Sequence, residues 1–287
     1  MTERDRNGNQ LSQPREPALE LRDLHVTFDG GIEAVRGVDF AIAPGEIHAI
    51  VGESGSGKSV TSKALVQLLP ETAAVSWDLL RIGGREFGRE RPSELRALRG
   101  RHIAMVFQEP GKHLNPAMTI GKLITEAVRL HLGLTKGEAA ARGRELMELV
   151  ELPPDVLSAY PHELSGGMKQ RALIALAISC RPVLLFADEP TTALDVTVQA
   201  QILRLLDRLR RELDMAVVFI SHDLGLVQSA VDRVSVMYAG RIVDTAPASE
   251  LFAWPLHPYT ELLLESIPRP ERRGERLPAI PGRVPDA

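Results

Sequence analysis

The chain has 287 residues, a formal net charge of −4, and 44% hydrophobic and 25% charged residues, the profile of a globular protein with one large domain or two small ones. That balance leaves no overall basic footprint, so nucleic acid is not expected as a partner. One cysteine, Cys180, excludes an internal disulfide and a cysteine-built metal site, and no apolar run approaches the roughly 18 residues of a membrane span.

In chain order, residues 1–17 are polar, lack the apolar core of a secretion signal, and read as a disordered tail. Strands are predicted over 19–28, 35–42 and 47–51, the last running directly into a glycine-rich loop. A helix follows over 60–69. The segment 81–102 is rich in arginine, but Glu86, Glu90 and Glu94 interleave, so a salt-bridged surface is expected there rather than a lipid-binding patch. A strand over 103–107 precedes a long helical pattern over 118–152, with Leu146, Leu149 and Val150 at helical spacing. A second alternating series then begins: helix 167–179, strand 183–187, helix 196–213, strand 216–220. Strands alternating with helices imply an α/β fold with a largely parallel sheet and helices on its faces. The proline-rich end, 255–287, reads as an appendage.

The loop after the third strand, Gly52-Glu53-Ser54-Gly55-Ser56-Gly57-Lys58-Ser59, fits the phosphate-loop pattern G-x-x-x-x-G-K-[ST] in full and lies between an apolar strand and a helix. Its glycines let successive backbone N–H groups turn toward one anion, and the helix N-terminus adds partial positive charge. Lys58 is expected to reach the β- and γ-phosphates of a nucleotide, and the Ser59 hydroxyl to ligate Mg²⁺.

"LLFADEP" is a strand of the buried type ending in Asp188 and Glu189. Carboxylates at the carboxyl end of a strand face the crevice where open α/β sheets bind ligands. Asp188 suits the Mg²⁺ shell, and Glu189 is placed to orient or deprotonate an attacking water. "VVFISHDL" repeats the geometry and puts His222 within reach of a γ-phosphate. Gln108, after "IAMVF", either supplies an amide oxygen to Mg²⁺ or is an ordinary polar residue at a strand end; the residues alone leave both readings open. His25, His48, His131 and His257 read as surface or packing residues. "HELSGGMKQR" holds a second glycine pair, in which Ser165 can cap a helix beginning near Gly167.

Taken together, Gly52–Ser59, Gln108, Leu164-Ser165-Gly166-Gly167-Met168, Asp188-Glu189, Asp195 in "TALD" and His222 occur in the order seen in ABC transporter ATPase subunits. They resemble the Walker A, Q-loop, signature, Walker B, D-loop and H-loop motifs, over roughly residues 19–264. The resemblance implies a P-loop NTPase core with a largely parallel sheet, an antiparallel β subdomain and an inserted α-helical subdomain at about 112–180, the ATPase domain spanning 18–254. It implies ATP and Mg²⁺ as cofactors. It also implies a head-to-tail dimer with a second ATPase subunit, in which Ser165, Gly166 and Gly167 cap the ATP held by the partner's phosphate loop. That would explain why the second glycine pair carries no phosphate-loop lysine. Phe28 matches the position of the aromatic that stacks on adenine, although a Phe ending an amphipathic strand is as often core.

"FQEPGKHLNPAMTIG", "YPHELSGGMKQRALIALAISCRP", "ADEPTTALDVTVQAQIL" and "HPYTELLLESIP" with "LPAIPG" are similar to the ATPases of importers for oligopeptides, dipeptides and nickel. This resemblance implies two membrane permeases, an indirect link to an extracytoplasmic solute-binding protein, a peripheral place on the cytoplasmic face of the membrane, and an importer-type extension over 255–287. Lys112 and His113 depart from the small polar residues commoner in that motif. With Cys180 alone, the cysteine-ligated iron–sulfur cluster of many such relatives is not expected. A soluble ABC protein acting on nucleic acid or ribosomes would instead predict coiled-coil insertions, two cassettes or basic extensions.

Overall fold

Alternating apolar positions in the first sixty residues build a twisted antiparallel layer. In the computed structural model, which describes residues 16–88, 92–192, 194–228 and 230–267, β1 (Leu19–Phe28) and β2 (Ile32–Ile42) form a long hairpin with several irregularities in register. β3 (Ile47–Val51) then enters a second sheet, and α1 (Lys58–Leu65) begins at the phosphate-loop lysine. β4 (Ala74–Ser76), β5 (Leu79–Ile82) and β6 (Arg85–Glu86) return to the first layer, which has the order β2-β1-β5-β6 with β4 also on β1. The arginine-rich segment thus starts in a strand. Arg81 pairs with Glu20 and Glu86, and Arg85 with Glu94, the salt-bridged surface expected. Glu90, like residues 1–15 of the expected tail and 268–287, lies outside the described residues.

After α2 (Pro92–Arg96) and β7 (Ile103–Val106), the chain forms α3 (Pro110–His113), α4 (Ile120–Leu132) and α5 (Lys136–Leu149). The single helical pattern expected over 118–152 is therefore two helices. Gly133 takes the left-handed φ of 67° that ends α4, and Thr135 with Glu138 makes a capping box that starts α5. Two 3₁₀ turns, Pro154–Ser158 and Pro161–Glu163, lead into α6 (Gly166–Ile178). Arginines tie these helices end to end. Arg142 of α5 donates to the carbonyls of Ile178 and Ser179 at the end of α6, and Arg171 of α6 donates to Val150 at the end of α5.

The remaining elements are β8 (Leu184–Asp188), α7 (Val196–Leu213), β9 (Ala216–Ser221), α8 (Leu224–Val227), β10 (Arg233–Tyr238), β11 (Arg241–Pro247), α9 (Ala248–Ala253) and α10 (Pro258–Glu265). The second sheet has the order β11-β10-β3-β9-β8-β7, parallel throughout except for the β10–β11 hairpin. β3, β8 and β9 are buried along their whole length, as expected for parallel strands covered on both faces. Alternation sorts their side chains: Ala49, Val51, Leu185, Ala187, Val217 and Phe219 join the helical side of the core. Ile50, Leu184, Phe186, Val218 and Ile220 face the antiparallel layer. Residues 258–265, read from sequence as part of an appendage, instead add Tyr259, Leu263 and Leu264 to the main core.

Candidate functional site

The sheet order sets the site. β3, β9, β8 and β7 are consecutive neighbours and parallel, so their carboxyl ends deliver the phosphate loop, His222, Asp188-Glu189 and Gln108 to one edge.

In the phosphate loop, Gly52, Ser56, Gly57 and Lys58 are buried, Ser54 and Gly55 are exposed, and Glu53 and Ser59 lie between. Gly57 has φ 104°, and a Cβ there would fall 2.5 Å from the Ala34 carbonyl oxygen; a Cβ at Gly52 would collide with the Met237 carbonyl. Both positions therefore require glycine on steric grounds. The β10–β11 hairpin braces the loop through Gly240 N–H, which donates to Ser56 O at 3.0 Å. Lys58 Nζ donates to the carbonyls of Gly52 and Glu53 at 2.8 and 2.7 Å. Burial lowers the Lys58 pKa from the usual lysine value, against the opposing pull of Glu189, Asp188 and Glu53.

Ser59 Oγ donates to Asp188 Oδ1 at 2.6 Å. Burial raises the Asp188 pKa, and the Ser59 hydrogen bond and the nearby Lys63 and Lys58 offset only part of that. A hydroxyl and a buried carboxylate in contact form a hard oxygen donor pair, the set that suits Mg²⁺ and leaves its other positions to water and phosphate.

One residue on, Glu189 adopts φ 45°, a left-handed conformation costly for a side chain of its size. Its carboxylate is held on both oxygens. His222 Nδ1 lies 3.1 Å from Oε1, while Gln108 Nε2 at 3.0 Å and Thr192 Oγ1 at 2.8 Å donate to Oε2. Gln108 thus engages Glu189 through its amide nitrogen, which leaves its amide oxygen free of that contact. Sequence reasoning passed over Thr192, whose signal is its position three residues after Glu189, in the turn where a hydroxyl can reach back.

Five predicted site residues sit elsewhere. Ser165 Oγ accepts from Met168 N–H and caps α6; Ser165 and Gly166 are exposed. The start of α6 packs against the first turn of α7, where a Cβ at Gly167 would meet Val198 at 3.1 Å. Asp195 caps α7 by accepting from Val198 N–H at 3.0 Å. Phe28 ends β1 and packs, half-buried, against the core of the antiparallel layer. Lys112 pairs with Glu109, and His113 stacks on Phe107 with ring centroids 4.2 Å apart. Of the discounted histidines, His48 is fully buried and hydrogen-bonded to Ser235 at 2.8 Å, a packing residue as expected.

The sequence missed Tyr259, whose hydroxyl accepts from the Glu53 N–H of the phosphate loop at 3.2 Å. Only its place in "HPYT" drew attention to it.

Comparison with known proteins agrees with this geometry. Residues 35–192 match the ABC transporter family, and residues 243–287 match the oligopeptide/dipeptide transporter C-terminal region. The chain is 48% identical over 276 residues to the oligopeptide transport ATP-binding protein OppD of Bacillus subtilis, covering 93% of this chain and 77% of that protein. It is 45% identical over 284 residues to OppD of Salmonella typhimurium, covering 97% and 84%. The dimeric ATP-binding cassette MJ0796, solved in a post-hydrolysis state with ADP and phosphate, superposes with a TM-score of 0.68 at 26% identity, covering 80% of this chain and 98% of that one. A phosphate loop closed by a strand-end aspartate, a carboxylate held by its neighbours' glutamine and histidine, and these two family matches lead to one conclusion: the chain belongs to the ABC transporter ATPases, and it carries the C-terminal region of the oligopeptide/dipeptide branch.

Proposed function

We propose that this ATPase energises the import of peptides, as a peripheral subunit on the cytoplasmic face of the cell membrane. The observation that carries the reading is the convergence of Lys58, Ser59, Asp188, Glu189, Gln108 and His222 on one sheet edge, in a chain that also has the peptide-transporter C-terminal region. We assign residues 18–254 to the ATPase domain, about 112–180 to its helical subdomain and 255–287 to the importer-type extension.

Backbone N–H groups of the Gly52–Ser59 loop other than that of Glu53 take the phosphates, and Lys58 leaves its loop carbonyls to reach the β- and γ-phosphates. Phe28 stacks on the base. Ser59, Asp188 and Gln108 hold Mg²⁺, which supplies charge neutralisation on the phosphates. Glu189 accepts the proton of the attacking water once nucleotide draws Gln108 and His222 toward the γ-phosphate. Ser165, Gly166 and Gly167 close over nucleotide held by a second ATPase subunit, with Asp195 at the same junction. The exposure of Ser165 and Gly166 supports that role. Shifting such a pair from 1:99 open to 99:1 closed takes about 5.5 kcal/mol of differential binding. Several charge-assisted hydrogen bonds, at about 1.5–3 kcal/mol each, supply that.

Two permeases complete the assembly, and an extracytoplasmic binding protein delivers peptide to them. A groove beside Gln108, lined by Leu68, Met105, Phe107, Leu123 and Leu130, is apolar and open, and Leu130 is 76% exposed. It suits a permease helix docked where closure would move it. Among the described residues no helix is long and apolar enough to cross a membrane. The test is uptake of a labelled oligopeptide in cells carrying wild-type or E189Q chain in place of the native copy. Loss of uptake in E189Q, with the protein still membrane-associated, is expected. Full uptake would overturn the reading.

A further inference from the structure

We propose that Tyr259 is a positioning residue for the phosphate loop, and that through it the C-terminal segment sets how tightly this ATPase binds nucleotide. The proposal rests on the assignment of Gly52–Ser59 as the nucleotide site.

The argument turns on one peptide unit. The Glu53 N–H donates to the Tyr259 hydroxyl at 3.2 Å, and the Gly52 carbonyl accepts from Lys58 Nζ at 2.8 Å. These two groups belong to the same planar peptide and point in opposite directions. Fixing the N–H end therefore fixes the carbonyl that receives the lysine. Tyr259 lies 206 residues from Glu53 in sequence and occupies no part of the phosphate loop itself.

The tyrosine is held from behind as well. Asp244 of β11 accepts from the N–H groups of Leu256 and His257 at 3.2 and 3.3 Å, which pins the turn before α10. His257 Nδ1 then accepts from the Tyr259 N–H at 3.1 Å and caps the helix, with Pro258 at its first position. The Tyr259 ring packs on Tyr238 at 4.5 Å between centroids and is only 6% exposed. Burial pushes its pKa up to about 12, so the phenol stays neutral and keeps its proton. The run His257-Pro258-Tyr259 thus has a physical purpose in each residue: cap, helix start, and strut. A loop already set in its anion-binding shape loses less freedom when the nucleotide arrives, so binding should be tighter with the strut than without it.

The experiment measures binding of Mg²⁺ with a non-hydrolysable ATP analogue to the full chain, alongside the thermal midpoint of the nucleotide-free protein. Wild type is compared with Y259F, which keeps the ring and its packing but loses the hydroxyl. The expected result is a Kd raised threefold to tenfold in Y259F, with the nucleotide-free midpoint within about 2 °C of wild type. In ATPase assays the same variant should raise KM with kcat within twofold. An unchanged Kd in Y259F overturns the inference, and so does a Kd change that appears only with a collapsed midpoint. If Y259F fails to fold, D244A takes its place: it removes the acceptor that pins the turn while leaving the phenol, and should shift Kd in the same direction. No shift there overturns the inference too. Wild type that fails to bind the analogue would sink the nucleotide-site reading itself, whereas normal wild-type binding with an indifferent Y259F sinks only this one.

Discussion

At the start of α1, Gly57 is held at φ 104° against the Ala34 carbonyl, and Lys58 beside it is buried with its ammonium on two loop carbonyls. At the start of α6, Gly166 and Gly167 lie in helical backbone, and Ser165 is exposed with its hydroxyl spent on capping Met168. Both are glycine-bearing helix starts able to meet an anion, yet the first is knitted into its own chain on every side and the second offers itself to solvent. Glycine is needed in the phosphate loop because the backbone has no room or conformational choice. At α6 Gly166 has only an ordinary contact, with a Leu194 methyl at 3.5 Å, and Gly167 leaves room for Val198 of α7. On the function proposed above, the difference is that between a site completed within one fold and half a site that a second subunit completes.

The sharpest way to break that contrast is at Glu189. E189Q should lose ATP turnover by about 10²-fold or more, as general-base losses do, while still binding nucleotide. Light scattering on this variant with Mg-ATP should then show a monomer becoming a dimer, and S165R should abolish the shift. A variant that binds ATP yet remains monomeric with Ser165 intact would mean that α6 of this chain does not complete the site of a second copy.

A smaller effect separates the two glycines by stability. G57A places a Cβ at a left-handed φ and against a backbone oxygen, so unfolding by denaturant should show a loss of about 2–4 kcal/mol. At Gly166 the nearest atom is a Leu194 methyl at 3.5 Å, an ordinary contact, and G166A should stay within about 0.5 kcal/mol of wild type. Equal losses would remove the structural distinction. S165A should cost about 1 kcal/mol through the lost cap, in the folding of the single chain. Any larger effect of S165A on turnover would then belong to what Ser165 does across an interface.

How legible each half was follows from distance in sequence. The phosphate loop is eight contiguous residues between a strand and a helix, and pattern reasoning located it whole. Asp188, Glu189 and His222 were readable because each ends an apolar run, and a parallel sheet brings such ends together. Periodicity did not reveal the break at Gly133, because 118–132 and 136–149 continue one helical phase and only the glycine followed by the Thr135–Glu138 box marks the stop. The β10–β11 hairpin also escaped, although Ala239 and Gly240, both at positive φ between "VSVMY" and "RIV", are its turn signal. Tyr259 could not have been found this way, since nothing local ties residue 259 to residue 53. The left-handed Glu189 and the triple hold on its carboxylate were likewise beyond sequence, because they depend on Gln108, Thr192 and His222 arriving from separate segments.

The smallest predicted effect concerns Asp188, where the phosphate-loop half of the comparison works against its own stability. Burial raises the Asp188 pKa in the folded protein above its unfolded value. The native state therefore holds the proton more firmly, a stabilisation fully present below the unfolded pKa of about 4 and lost as pH rises through the folded value. At neutral pH the ionised carboxylate is a net burden on the nucleotide-free fold. D188N removes the charge and still accepts the Ser59 hydroxyl, so its nucleotide-free thermal midpoint should exceed that of wild type at pH 7–8. The two midpoints should converge as pH falls below about 4. Adding Mg-ATP should reverse the order at pH 7, because wild type gains binding free energy that D188N, with a weaker ligand for the cation, does not. The crossing of the two thermal curves is the signature of a carboxylate kept for its ligand rather than for the fold, and a D188N midpoint below wild type without nucleotide would contradict it.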